Sequence, residues 1–275
     1  MLAEDKLKIK INGKEICTSC KSLFQLKAEC GLAPDNLVVI LNGFQTTEDL
    51  PTSEGDEIVF IEKGRMPDRD DFEVMLSARH TPHVYEKVKQ ARVALAGLGG
   101  LGSTIAIALA RTGVGRLLLI DFDVVEPSNL NRQQYKMKHL GMKKTEALKM
   151  EIEEINPFVT VIIDTVRVTE DNVRNLFAED DIVCEAFDNP EAKAMLVNGL
   201  RENYPEMKIV AASGMAGYES GNSITTKRLM KNLYLCGDGQ TDARIGRGLM
   251  APRVSICAGH QANMVLRLIM GMEDA

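Results

Sequence analysis

The feature that most restricts the fold is Gly97-Leu98-Gly99-Gly100-Leu101-Gly102, set between the apolar run Val93 to Ala96 and a helix expected to begin at Ser103. The surrounding stretch, Val93 to Ala110, has no charged side chain and is long enough to raise the question of a membrane span. Glycines clustered in its middle favour a strand, a tight turn and a helix start instead. Such a turn lets backbone approach a phosphate, and the helix N-terminus adds unpaired N–H groups and partial positive charge. Asp121 closes the next apolar run, Leu117 to Ile120, and lies 19 residues after Gly102, where an acidic side chain reaches a ribose hydroxyl. A dinucleotide-dependent dehydrogenase carries the same signature, so the glycines alone do not settle the chemistry.

The residues after Asp121 discriminate between these classes. Asp121-Phe122-Asp123 leads into Ser128-Asn129-Leu130-Asn131-Arg132-Gln133, and Gly141 precedes a helix expected to hold Lys143 and Lys144 in its first turn. Asn, Arg, Gln and Lys beyond the strand ends supply donors for a triphosphate, which nucleotidyl transfer needs because charge develops on the α-phosphate and on leaving pyrophosphate. Asp188-Asn189-Pro190 follows directly on a strand expected over Asp181 to Phe187. A carboxylate at a strand end suits magnesium, which takes one or two carboxylates plus phosphates and water. The alternative is that Asp188 caps the helix over Glu191 to Leu200.

From Arg92 onward, apolar strands alternate with amphipathic helices, the signature of a Rossmann-like, mostly parallel α/β sheet with crossover helices. The first 66 residues read differently, as a small α+β domain. Leu7 to Ile11 alternates and meets Asn12-Gly13, a tight hairpin turn. Ser22 caps a helix over Leu23 to Cys30 that stops at Gly31, and strands follow at Leu37 to Leu41 and Glu57 to Glu62. Residues 67–91 are charged, contain Pro82 and place Phe72, Met75 and Leu76 at helical spacing, which gives a helical connector between domains at 1–66 and 92–275.

Net charge of −6 and a pI near 5.4 argue against broad binding to nucleic acid or to an anionic membrane surface. Charge in the Met1 to Lys6 segment leaves no room for the apolar core of a signal peptide, and six cysteines with one close pair make no disulfide framework. Both point to the cytoplasm. Cys17-Thr18-Ser19-Cys20 has no second pair to complete a metal site, and His80-x-x-His83 is interrupted by Pro82. Cys236 opens a glycine-containing segment running to Gly248, whereas Cys184 and Cys257 sit in apolar surroundings that suit buried small hydrophobes.

Taken in order, the Gly97 loop, Gly113-Val114-Gly115, Asp121-x-Asp123, the 128–133 segment, Lys144, Asn156-Pro157 and Asp188-Asn189 resemble the ThiF and MoeB family, bacterial relatives of ubiquitin-activating enzymes. The first domain similarly resembles the β-grasp, ubiquitin-like fold of the ThiS sulfur carrier, except that the Gly-Gly tail of a working carrier is replaced by the internal Gly64-Arg65-Met66-Pro67. A docking or regulatory module is therefore expected there, not a substrate.

The resemblance implies an adenylyltransferase that uses ATP and magnesium to activate the terminal carboxylate of a ThiS-like carrier, in the manner of thiamine synthesis, and that works as a homodimer. It places the glycine loop on Gly97, Gly99, Gly100 and Gly102 and the ribose carboxylate on Asp121. Phosphate contacts fall on Asn129, Arg132 and Lys144, and the magnesium ligand on Asp188. An arginine sent from the partner subunit falls on Arg79. Relatives hold a structural zinc on two Cys-x-x-Cys pairs, which the C-terminal region lacks, so zinc is not expected. Some relatives link the carrier covalently through a cysteine in a flexible crossing loop, for which Cys236 is the match. Two other readings stay open: activation of a different acceptor such as a peptide C-terminus, and a nucleotide-binding regulator without turnover.

Overall fold

The computed structural model describes residues 6–32, 36–64, 67–80 and 83–275. The chain forms two compact units that divide between Glu86 and Lys87. The expected boundary near Met66 and the Arg65-Met66 part of the missing tail lie outside the described residues, as do Pro82 of the histidine pair and the start of the N-terminal segment.

In the first unit, strands β1 (Leu7–Ile11) and β2 (Lys14–Thr18) precede helix α1 (Leu23–Glu29), followed by β3 (Leu37–Leu41), β4 (Phe44–Thr46), β5 (Glu57–Glu62) and helix α2 (Arg69–Arg79). The five-stranded order is β2-β1-β5-β3-β4, with β1 and β5 parallel. This is the β-grasp arrangement. Hairpin turns fall at Asn12-Gly13 and Asn42-Gly43, and each asparagine takes the positive φ that the turn demands. Ser22 caps α1 by accepting from the Gln25 N–H, and Leu23 and Leu26 on its buried face join Ile9, Val39, Ile58 and Phe60 in one core. Strand β4 has no counterpart in the sequence reading: three residues with two exposed give no apolar period to read. Helix α3 (Val84–Val88) spans the division.

The second unit contains β6 (Arg92–Ala96), α4 (Gly100–Thr112), β7 (Arg116–Ile120), α5 (Lys144–Ile155), β8 (Thr160–Asp164), α6 (Val173–Leu176), β9 (Ile182–Glu185), α7 (Pro190–Asn203), β10 (Lys208–Ala212), β11 (Thr225–Met230), β12 (Leu233–Gly237) and α8 (Ala251–Ile269). Seven strands lie in the order β11-β12-β10-β9-β6-β7-β8, all parallel except the β11–β12 pair. Ala94, Ala96, Leu118, Ile120, Val183 and Ile209 meet Leu196 and Leu200 of α7 in an apolar core. Helix α4 packs against α5 and α8. Chain order runs outward in both directions from β6, so the topological switch lies between β6 and β9, where open α/β sheets bind ligands at the carboxyl ends of their strands. No described helix is long and apolar enough to cross a membrane.

Candidate nucleotide site

The turn after β6 is closely packed. Gly97 has φ +91, and a Cβ there would lie 2.9 Å from the Ala186 carbonyl. A Cβ on Gly102 would fall 1.8 Å from the Gly97 carbonyl, so neither position admits a side chain without moving backbone. Gly99 serves as N-cap of α4 with no side-chain cap, and the first-turn N–H groups of a helix have no partner within the helix. Helix α4 thus begins at Gly100, three residues before the expected start.

This turn forms one wall of a cleft of about 910 Å³, a volume suited to a nucleotide. Gly97, Gly99, Gly100, Asp121, Asn129, Arg132, Lys144 and Asp188 all line it. Gly102 stands behind the wall, closing the turn. Arg79 belongs to the other unit, where its guanidinium donates to Gln45 Oε1 at 2.7 Å.

Each lining group is held differently. Asp121 accepts from the Leu98 N–H at 2.7 Å and from the Asp123 N–H at 2.9 Å, which ties the end of β7 to the glycine turn. Asn129 is buried and accepts from the Glu126 N–H at 3.0 Å. Arg132 Nη1 donates to the Ser128 carbonyl and to Asn131 Oδ1, which leaves the guanidinium on an exposed local turn. Lys144, nearly buried at the first position of α5, reaches Asp123 Oδ2 at 3.0 Å. Lys143, expected inside that helix, is its N-cap residue.

The alternative reading, in which Asp188 caps the next helix, does not hold. Asn189 is the cap, accepting from the Ala192 N–H at 2.9 Å, and α7 begins at Pro190 because proline at the first position costs no internal hydrogen bond. Asp188 is exposed toward the cleft and has no hydrogen bond or ion pair among the described residues. An unpaired carboxylate facing the nucleotide-sized cleft fits a magnesium ligand that shares its ion with substrate. The fit to a nucleotide has a second mark: Gln133 is buried at the cleft wall, and its Oε1 has no partner.

Sequence reasoning missed a buried ion pair whose lysine, Lys193, lines the cleft. Glu185, fully buried at the end of β9, accepts from the Phe187 N–H at 2.7 Å and pairs with Lys193 Nζ at 3.0 Å, and that ammonium also donates to the Ala212 carbonyl. Burial pushes the Glu185 carboxyl up, and Lys193 opposes it. The signal available was a glutamate inside an apolar run eight residues before a lysine in the following helix. Opposite, Asp238 accepts from Arg253, from the Thr241 and Gln240 N–H groups and from the Thr241 hydroxyl. Burial alone would raise its pKa, but these hydrogen bonds prevail and hold it down at about 2. Thr241 belongs to the cleft wall.

Cys236 does not begin a flexible loop. It is an interior residue of β12, fully buried, and burial raises its thiol to about 11, a value that leaves little thiolate near neutral pH. Cys257 is also buried, so the two C-terminal thiols pack in the core. In the small unit the Cys20 thiol donates to Glu29 Oε2 at 2.8 Å. Among the described residues no cluster of three or more His, Cys, Asp or Glu is arranged to hold a metal ion.

Parallel sheet, switch-point cleft, glycine turn and donor cluster define a nucleotide-binding α/β protein. Residues 73–275 match the ThiF family and residues 7–64 match the ThiS-like ubiquitin family. The chain belongs to the ThiF family. It is 31% identical over 191 residues to the molybdopterin-synthase adenylyltransferase of Salmonella typhimurium, a match covering 67% of this chain and 75% of that protein. It is 34% identical over 156 residues to the tRNA threonylcarbamoyladenosine dehydratase of Haemophilus influenzae, covering 56% of this chain and 59% of that protein's length. The crystal structure of the E. coli tRNA N6-threonylcarbamoyladenosine dehydratase in complex with ATP shares the fold, with a TM-score of 0.67 at 24% identity over 75% of this chain and 97% of that chain.

Proposed function

We propose that the protein is an ATP-dependent adenylyltransferase that activates the terminal carboxylate of a ThiS-like carrier for thiamine biosynthesis, as a cytoplasmic homodimer. The observation that carries this reading is the convergence of the glycine turn, Asn129, Arg132, Lys144 and an unpaired Asp188 in one cleft. The name of the Salmonella relative supports adenylyl transfer. No protein nucleophile is required. An oxygen of the acceptor carboxylate attacks the α-phosphorus, the bond to pyrophosphate breaks, and the chain's task is to hold the two in line while neutralising charge. Arg132 and Lys144 carry that positive charge, and Lys144 would exchange Asp123 for phosphate oxygens. Asp188 would hold a magnesium ion, which when bound would add charge neutralisation on the phosphates. Arg79 is assigned to the triphosphate of the partner subunit's site, and Asp121 to the ribose. The β-grasp unit acts in docking or regulation.

A second reading, activation of a different acceptor such as a peptide C-terminus, is kept because a relative at 34% identity is named for a tRNA nucleoside. ATP–pyrophosphate exchange with and without purified ThiS-like carrier decides between them. Carrier-dependent exchange supports the first reading, and exchange only with another carboxylate acceptor supports the second. Nucleotide binding without exchange would leave a regulator.

A further inference from the structure

We propose that Tyr135 is a positioning residue whose hydroxyl locks the glycine turn beside the start of the helix carrying Lys144, and so sets the affinity of the cleft for ATP. The inference rests on the ATP-binding reading above. Tyr135 follows the donor-rich segment and is 6% exposed. Its hydroxyl donates to the Leu98 carbonyl at 2.8 Å and lies 3.5 Å from the Lys144 carbonyl, so one side chain touches both phosphate-binding elements. A phenol has a single proton, and the shorter contact takes it.

Leu98 is thereby held from both sides. Its N–H is given to Asp121 Oδ2 at 2.7 Å and its carbonyl receives Tyr135. The peptide unit is planar and trans, so fixing the Leu98 carbonyl also fixes the Gly99 N–H, which points the opposite way. Gly97 and Gly99 flank this residue, and glycines give a backbone the most freedom to turn over. Without the hydroxyl, the plane between Leu98 and Gly99 loses the contact that fixes it, at the point where Gly99 lines the cleft and caps α4. The ring itself remains packed, so the effect belongs to the hydroxyl.

The test compares the full chain with Tyr135→Phe and Tyr135→4-aminophenylalanine, the latter retaining a donor at the para position. Two readouts are taken: amide hydrogen exchange of a peptide spanning residues 97–102 without nucleotide, and direct titration with ATP and magnesium. Tyr135→Phe is expected to speed exchange in that peptide selectively and to weaken ATP binding roughly five- to tenfold, the scale of one neutral hydrogen bond. 4-Aminophenylalanine is expected to restore both. In steady-state exchange assays the KM for ATP should rise while kcat changes less than twofold. Unchanged exchange in the 97–102 peptide, or failure of the amino analogue to restore it, overturns the proposal. So does a loss of protection spread over the whole fold. If the unsubstituted chain does not bind ATP, the function proposed above fails, while the exchange comparison still decides the role of Tyr135.

Discussion

The segments that follow β7 and β9 each bring an aspartate to the same cleft, yet the two carboxylates are held in opposite ways. Asp121 has each oxygen engaged by a backbone N–H and is largely buried, whereas Asp188, beyond the end of β9, is exposed and unpaired. A carboxylate already satisfied by the backbone acts first as a tie between a strand and a turn. One left open at the cleft has its charge available for a ligand. The residue type is the same, but Asp121 directly follows β7 whereas Asp188 lies three residues past β9, clear of the backbone N–H groups that a strand end meets.

The sharpest way to break this comparison is Asp188→Ala. We expect acceptor-dependent pyrophosphate exchange to fall roughly 100-fold or more, the scale of removing one preorganised electrostatic contact, with the melting temperature unchanged. Near-normal exchange would remove the metal assignment. Arg132→Ala should lower exchange by a similar or somewhat smaller factor, again without loss of stability, because its present partners are only a local turn. Asp121→Ala should behave differently. It orphans two N–H groups, so a stability loss of roughly 1–3 kcal/mol is expected together with weaker ATP binding, read from urea melts and ATP titration. A destabilised Asp188 variant beside an unaffected Asp121 variant would reverse the roles of tie and open ligand.

Mixing an Arg79→Ala chain with an Asp188→Ala chain tests whether a third charge joins these two from the partner subunit. Partial recovery of exchange is expected, since one hybrid site then holds both unsubstituted residues. No recovery between chains shown to exchange would remove Arg79 from the site. The smallest effect expected is at Asp238. Its folded-state pKa, about 2, lies below the ordinary 3.8, so its contribution is complete above 3.8 and is lost as pH falls toward 2. Asp238→Asn should flatten that segment of the stability–pH curve, measured by denaturant melts at stepped pH. An unaltered curve would mean the hydrogen bonds at Asp238 do not stabilise the ionised form.

The turns were legible because glycine and asparagine there answer local backbone demands. Asn12-Gly13, Asn42-Gly43 and Gly97 all sit at positive φ, a requirement that no distant neighbour alters. The donor cluster was legible because polar side chains gathered after apolar strands have few other uses. Partnership was not. Asn189 and Asp188 accept hydrogen bonds equally well, and only Pro190, which suits the first helical position, marks Asn189 as the cap. The glycines after Cys236 suggest a loop, while the strand Leu233–Gly237 continues through it under the pairing of β10 and β11. The pairing of Lys193 with Glu185 and of Tyr135 with the Leu98 carbonyl depends on contacts between elements, which periodicity does not report.

The distribution of the six free thiols has a practical consequence for anyone wishing to watch this molecule work. Cys184, Cys236 and Cys257 are buried in the nucleotide-binding unit, and burial raises the pKa of all three, whereas Cys17 and Cys30 are exposed in the β-grasp unit. A maleimide dye applied to the native protein should therefore mark the ubiquitin-like unit and leave the other dark. The unaltered chain then offers a spectroscopic reporter on its smaller half, against which ATP or an acceptor can be added without engineering a cysteine near the cleft.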